Sequence, residues 1–202
     1  MRISANYTTF YWFDLELLDE NSESWEDGIK VIEDRFNSRF FSQIDEIKDN
    51  EFSGFIIMSI DCLLIETLMQ FYLGVKDTET YYQGKQREAF RDFFRNSPNF
   101  KDEFINNDIC FTFHNHFRNG LLHQAQTKRK SLIRICKEKT LQLFDEENVN
   151  KGLVIDREKF HEKLHKEFQD YIHKLKDNGT NFKNENLRLN AIKKMGFICK
   201  EV

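Results

Sequence analysis

The segment Phe117-Arg118-Asn119-Gly120-Leu121-Leu122-His123 sets an arginine, an amide and a histidine within one short run. Arginine presents a planar fork of donors suited to phosphate and stays charged at any working pH. Histidine exchanges protons near neutrality. Together these types suit cleavage of a phosphodiester, and of RNA in particular. That reaction needs a base for the 2′-OH proton, an acid for the leaving oxygen and a cation for the charge gathered at phosphorus. His123 fits the proton transfers and Arg118 fits the charge. Asn119 fits the orientation of ribose, phosphate or His123 itself. The scheme requires no metal and no other cofactor. The same residues also have a purely structural use: Arg118 pairs with Glu66 to lock two helices, and His123 caps a helix end. Spacing alone favours the structural use, because Arg-x4-His is a short pattern that occurs often by chance.

These side chains must be carried by helices. The chain has 202 residues, 21 of them Phe, with only 8 Gly and one Pro. That composition favours long helices over a turn-rich β fold and predicts one mainly α domain over 1–202. From Ser24 to Ile47, Ile29, Ile32, Phe36, Phe40, Phe41, Ile44 and Ile47 recur at helical steps, with Ser22 or Ser24 as the cap. Phe52 to Leu73 is apolar on nearly every side, which predicts a helix in the middle of a bundle and not a membrane span, since Asp61 and Glu66 interrupt it. Its one polar stripe is Ser59, Cys62, Glu66 and Gln70. A third helix runs from Lys85 to Phe94, ahead of Pro98, and a fourth from Phe104 to Ala125 carries the motif. On it Asn119 and His123 share a face, and the long Arg118 side chain reaches the same cleft from about 100° around the axis. Gly120 there permits close approach of a backbone or a ligand.

Beyond Thr127 the pattern changes. Ser131 to Cys136, Thr140 to Phe144 and Gly152 to Ile155 are short apolar runs that predict an antiparallel β-hairpin or three-stranded meander, at about 131–155. Asp156 then caps a long helix, closed by Asn178-Gly179. The tail from Asn181 to Val202 reads as a short helix and an end strand, completing a C-terminal extension of about 156–202. The aromatic run Tyr7 to Leu18 reads as a strand or a packing arm.

With a net charge of −4, the chain as a whole does not attract nucleic acid, so a nucleic-acid site must be a local basic patch. Lys128, Arg129, Lys130 and Arg134, continued by Lys137 and Lys139, supply one candidate just past the motif; the alternative is a solvated turn and strand edge. Cys62, Cys110, Cys136 and Cys199 form no C-x-x-C pair, which speaks against a disulfide framework or a cysteine zinc site. The N-terminal residues lack the apolar core of a signal peptide, and a cytoplasmic location is expected.

The run from Phe117 to Ala125 resembles the signature of the HEPN superfamily (higher eukaryotes and prokaryotes nucleotide-binding). Its pattern is an arginine, usually a polar residue, and a histidine four to six places after the arginine. Arg118, Asn119 and His123 match those three positions. The resemblance covers roughly 24–127. It implies a small helical bundle, commonly a homodimer with both motifs facing a shared cleft, and a metal-independent ribonuclease of toxin–antitoxin, abortive-infection or CRISPR systems, partnered by RNA and by an antitoxin or regulator. It further implies an acidic or polar residue on an earlier core helix, for which Glu66 and Asp61 are the candidates, Glu66 by its stripe. Some members of the family are scaffolds that bind nucleotide, RNA or a protein without cleaving. The β segment and the last helices are not explained by the resemblance.

Two further patterns compete for a role. His161-Glu162-Lys163-Leu164-His165 has the H-E-x-x-H form of zinc hydrolases. Lys159, Lys163 and Lys166 crowd that helix, no third ligand follows at the expected spacing, and Glu185 is only a distant candidate. His173 extends the row, which then reads as a solvated histidine edge. His114 and His116 stand about one turn before Arg118, where they either line its cleft or are exposed helix histidines.

Overall fold

The computed structural model describes residues 1–17, 24–135 and 138–201. Ser22, Cys136, Lys137 and the last residue of the expected end strand therefore lie outside the described residues. The chain is mainly α with one small sheet. In order it runs α1 (Thr9–Asp14), α2 (Ser24–Phe36), a π-helical turn (Asn37–Phe41), α3 (Ser42–Ile47), α4 (Gly54–Leu73), α5 (Thr78–Tyr81), α6 (Arg87–Asn96), α7 (Asn107–Phe113), a second π segment (His114–Arg118), α8 (Asn119–Gln124), β1 (Leu132–Arg134), β2 (Leu141–Leu143), β3 (Leu153–Asp156), α9 (Arg157–Lys176) and α10 (Leu187–Lys200).

The packing divides into two compact units. One comprises Met1–Glu46, Gln70–Asp77 and Gln169–Val202; the other comprises Ile47–Met69 and Thr78–Phe168. In the first, Trp25, Ile29, Ile32, Phe36, Phe71 and Tyr171 are buried. The Trp25 indole donates to the Leu175 carbonyl, and the Arg188 guanidinium lies over the same ring while donating to the Leu17 carbonyl. The aromatic run near the N-terminus is not a strand but contains the short helix α1, which packs through Trp12. The Thr8 side chain accepts from Tyr11 N–H and caps it, a local hydrogen bond that outweighs the β preference of the aromatic residues. The chain's end forms no strand through Glu201: α10 continues to Lys200, with Asn186 as its cap accepting from Leu189 N–H.

The second unit holds the motif. Its core is a phenylalanine cluster in which Phe160 of α9 meets Phe94, Phe100, Phe104 and Phe113. Asn106 caps α7 by accepting from Ile109 N–H, and Asp156 caps α9 by accepting from the N–H groups of Glu158 and Lys159. Helix α6 ends at Asn96 because Ser97, ahead of Pro98, is extended.

The sheet is not a meander. Its order is β1-β3-β2, with β1 parallel to β3 and β2 antiparallel to it. The cause is the close approach of Gly152 to the chain entering β1, where a Cβ would stand 2.7 Å from the Lys130 carbonyl carbon. Lys130 N–H donates to Lys151 O and Leu153 N–H to Ser131 Oγ, so β1 is drawn to the free edge of β3.

Helix α4 departs from the expected all-round burial. With the turn before it, it is long and apolar enough to cross a membrane by length and composition alone. Ile57, Met58, Leu64, Ile65 and Leu68 are buried, but Phe55, Ile56 and Leu63 are exposed along one edge, as is Phe52 just before it. A helix with a nearly uniform apolar composition has no pattern from which to tell a covered face from an open one.

Candidate active site

The motif sits where an α-helix widens. Residues 114–118 form a π segment between α7 and α8, in which Asn119 N–H donates to the His114 carbonyl. Such a segment inserts one residue into the helical register, and these insertions recur at functional sites. It also turns the His116 carbonyl to a new partner, Lys128 N–H, at 3.0 Å. Helix α8 then stops at Ala125, which takes a left-handed conformation with φ 51°. The turn that follows folds back against Gly120. A Cβ there would lie 2.4 Å from the Gln126 carbonyl oxygen, so the glycine serves the approach of the chain's own backbone.

Arg118 is gripped from one side and offered from the other. Its Nε donates to Glu66 Oε2 at 3.3 Å, and Nη2 donates to Oε1 and Oε2 at 3.2 and 3.1 Å. Both side chains are mostly covered, at 15% and 14% exposure, which gives a two-pronged pair far more fixed than an open surface ion pair. The remaining nitrogen, Nη1, donates to Asn119 Oδ1 at 3.1 Å and lies 3.5 Å from His123 Nε2. His123 is exposed. Because a guanidinium only donates, His123 Nε2 is the acceptor in this contact. Arg118, Asn119, His123 and Glu66 are thus brought together in one place.

Asp61 is not part of that group. It is fully buried about one and a half turns before Glu66, and His161 Nδ1 lies 2.7 Å from its Oδ1. Burial raises the Asp61 carboxyl above its usual range, opposed by the hydrogen bond from His161. His161 is buried, His165 is half-buried and His173 is exposed, so the row on α9 is solvated only toward its far end. The His161 ring is committed to Asp61, and among the described residues no group of three or more His, Cys, Asp or Glu could hold a metal ion.

His114 and His116 are both buried rather than exposed, but they face different surroundings. His116 Nδ1 pairs with Ser131 Oγ at 2.9 Å, beneath the turn into β1 and away from Arg118. Burial lowers its pKa, helped by Arg129 and Lys128. His114 stacks edge-on against Phe90 and lines a polar cleft that Asn115 and Asn119 also line. Burial pushes its pKa down to about 4, with Arg118, Arg87 and Lys128 adding repulsion, so its ring is neutral at physiological pH.

The basic run is dispersed. Lys128 Nζ donates to Asn115 Oδ1 beside the site, which ties it to the motif helix. Arg129 donates to the Asn150 carbonyl, and Lys130 lies over the Phe144 ring. Arg134 lines a separate groove with Phe52, Phe55 and Arg157. Cys62, Cys110 and Cys199 are buried free thiols.

The cleft brings in residues outside the motif and its basic run: Lys85, Arg87, Asp108, Phe111 and Asn115. The sequence does carry a signal for two of them. Arg87 opens α6 and Lys85 stands just before it, at the helix end where cations are electrostatically unfavourable.

Comparison with known protein families, with curated proteins and with solved structures gives no match.

Proposed function

We propose that this chain is a metal-independent endoribonuclease of HEPN type. One observation carries the reading: the Glu66 carboxylate holds the Nε–Nη2 edge of Arg118, leaving Nη1 directed at Asn119 and at the exposed His123. In this reading His123 Nε2 takes the 2′-OH proton or returns one to the 5′ oxygen. The 2′ oxygen bonds to phosphorus, the P–O5′ bond breaks, and the product is a 2′,3′-cyclic phosphate. Arg118 Nη1 shifts from its intramolecular acceptors to a phosphate oxygen, and Asn119 orients the ribose or His123. One histidine serves one proton transfer at a time. A homodimer with a shared cleft supplies the second from the other copy, and the exposed edge of Phe55, Ile56 and Leu63, on the helix that carries Glu66, is the surface such a copy would cover. A cytoplasmic toxin or defence ribonuclease restrained by an antitoxin or regulator fits this chemistry.

A second reading has its own observation. The donors of Arg118 already have acceptors in Glu66, Asn119 and His123, which also suits a non-catalytic module that binds RNA or a protein partner. The two separate in an RNA-cleavage assay of the wild type against Arg118→Ala and His123→Ala. The ribonuclease reading expects each variant to lose roughly 10²–10⁴-fold in rate. Equal rates in all three samples, or no cleavage by the wild type, favour the module.

A further inference from the structure

We propose that the cleft between α6 and the motif helix, lined by Lys85, Arg87, Phe111, His114, Asn115 and Asn119, binds the RNA nucleotide adjacent to the scissile phosphate. The inference rests on the ribonuclease reading and deepens it by assigning a substrate subsite.

The cleft measures about 640 Å³, within the range that holds a small-molecule ligand. It is continuous with the motif through Asn119, which lines it and accepts from Arg118 Nη1. Lys85 and Arg87 are exposed at its edge, with Asp108 in the lining and Glu88 Oε1 at 3.6 Å from Arg87 Nε offsetting part of their charge. Two cations at a cleft mouth suit the phosphates flanking a nucleotide.

The interior suits a base. The Arg87 guanidinium lies 4.7 Å from the centre of the half-buried Phe111 ring, a planar pair of the kind on which unstacked bases settle. Asn115 and Asn119 offer amides, and Lys128 fixes Asn115 by donating to its Oδ1, which leaves the Asn115 N–H groups to point elsewhere. His114 is 8% exposed, and its Nε2 is covered and has no hydrogen-bond partner among the described residues. Buried polar atoms are almost always paired, so this nitrogen marks a place where a partner is missing. Because the ring stays neutral, it meets a base edge as a hydrogen-bonding group without adding charge.

Binding and cleavage can be measured apart. A fluorescein-labelled 2′-O-methyl pentanucleotide cannot be cut by 2′-OH attack, so its anisotropy reports occupancy alone. Arg87→Ala, Phe111→Ala and His114→Gln should each weaken binding tenfold or more, while Lys101→Ala, an exposed cation outside the cleft, should change it less than twofold. Arg87 is exposed, so its variant keeps the fold, and circular dichroism verifies the other two. Wild-type binding by all three variants, or a loss at Lys101→Ala as large as theirs, overturns the subsite. So does AMP binding as tightly as the pentanucleotide with the same variant pattern, which marks a free-nucleotide site instead. If the variants lose binding while the wild type fails to cleave ordinary RNA, the cleft stands as an RNA-binding site, and the ribonuclease reading falls together with the assignment next to a scissile phosphate. If the wild type cleaves but binding ignores the three substitutions, the ribonuclease reading stands and the subsite falls.

Discussion

Helix α4 carries two carboxylates, Asp61 and Glu66, each paired with a basic side chain, and the pairs do different things. Asp61 is fully buried, holds His161 and leaves Oδ2 without a hydrogen-bond partner among the described residues. Glu66 sits near the surface, holds Arg118 by two prongs and leaves the far nitrogen of the guanidinium turned to the open His123. Both pairs join helices distant in sequence. Only the second adjoins an exposed side chain, His123. Access, not pairing, separates a pair that stabilises from one suited to work on a ligand.

The sharpest way to break this contrast is to truncate each carboxylate. Asp61→Ala strands a buried His161 and should cost about 3–5 kcal/mol of stability, read by denaturant unfolding. A loss under about 1 kcal/mol, the worth of an ordinary exposed pair, would mean that the pair does not anchor α9 to α4. Glu66→Ala should show the opposite balance. Arg118 loses its anchor, and cleavage should fall about 10²-fold, whereas stability falls by only about 1–3 kcal/mol. A Glu66→Ala protein that cleaves normally would reduce the pair to a helix tie.

Gly120 tests whether the turn beyond the motif helps set the site. A methyl group there meets the Gln126 carbonyl, so Gly120→Ala should cost about 1–3 kcal/mol by overpacking and displace the turn that carries Lys128. An unchanged melting curve would show that the turn is free to yield.

The effect confined to acid, and smallest near neutrality, is in the pH dependence. The folded protein holds His114 at about 4, well below its ordinary value of 6.5, so between these pH values the unfolded chain binds a proton that the folded one refuses. Stability should therefore fall as pH drops from about 6.5 to about 4. His116, also lowered, acts in the same direction. His114→Gln should flatten part of that slope in urea titrations across the window, and an unaltered slope would assign it to other groups.

Much of this arrangement is legible in the residues. The steps of Ile29, Ile32, Phe36 and Ile44 give the early helices, Pro98 gives the end of α6, and the stripe through Ser59, Cys62, Glu66 and Gln70 singles out Glu66 as a carboxylate in need of a cation. The partner of Asp61 is not legible, because His161 lies 100 positions away and its neighbours spell a metal motif. Nor is the strand order. Short apolar runs mark where strands lie, but the seating of β1 beside β3 follows from one close approach at Gly152. The cleft escapes for the same reason: its walls come from the start of α6 and from the motif helix, which only the folded chain brings together.

The central claim is that Arg118, Asn119 and His123 cleave RNA by internal attack of the 2′-OH without a metal. End-group analysis of RNA cut in the presence of EDTA tests it most directly. The wild type should give 2′,3′-cyclic phosphate ends, and Arg118→Ala and His123→Ala should give none above background. Recovery of 3′-OH ends, or activity abolished by EDTA, would contradict it.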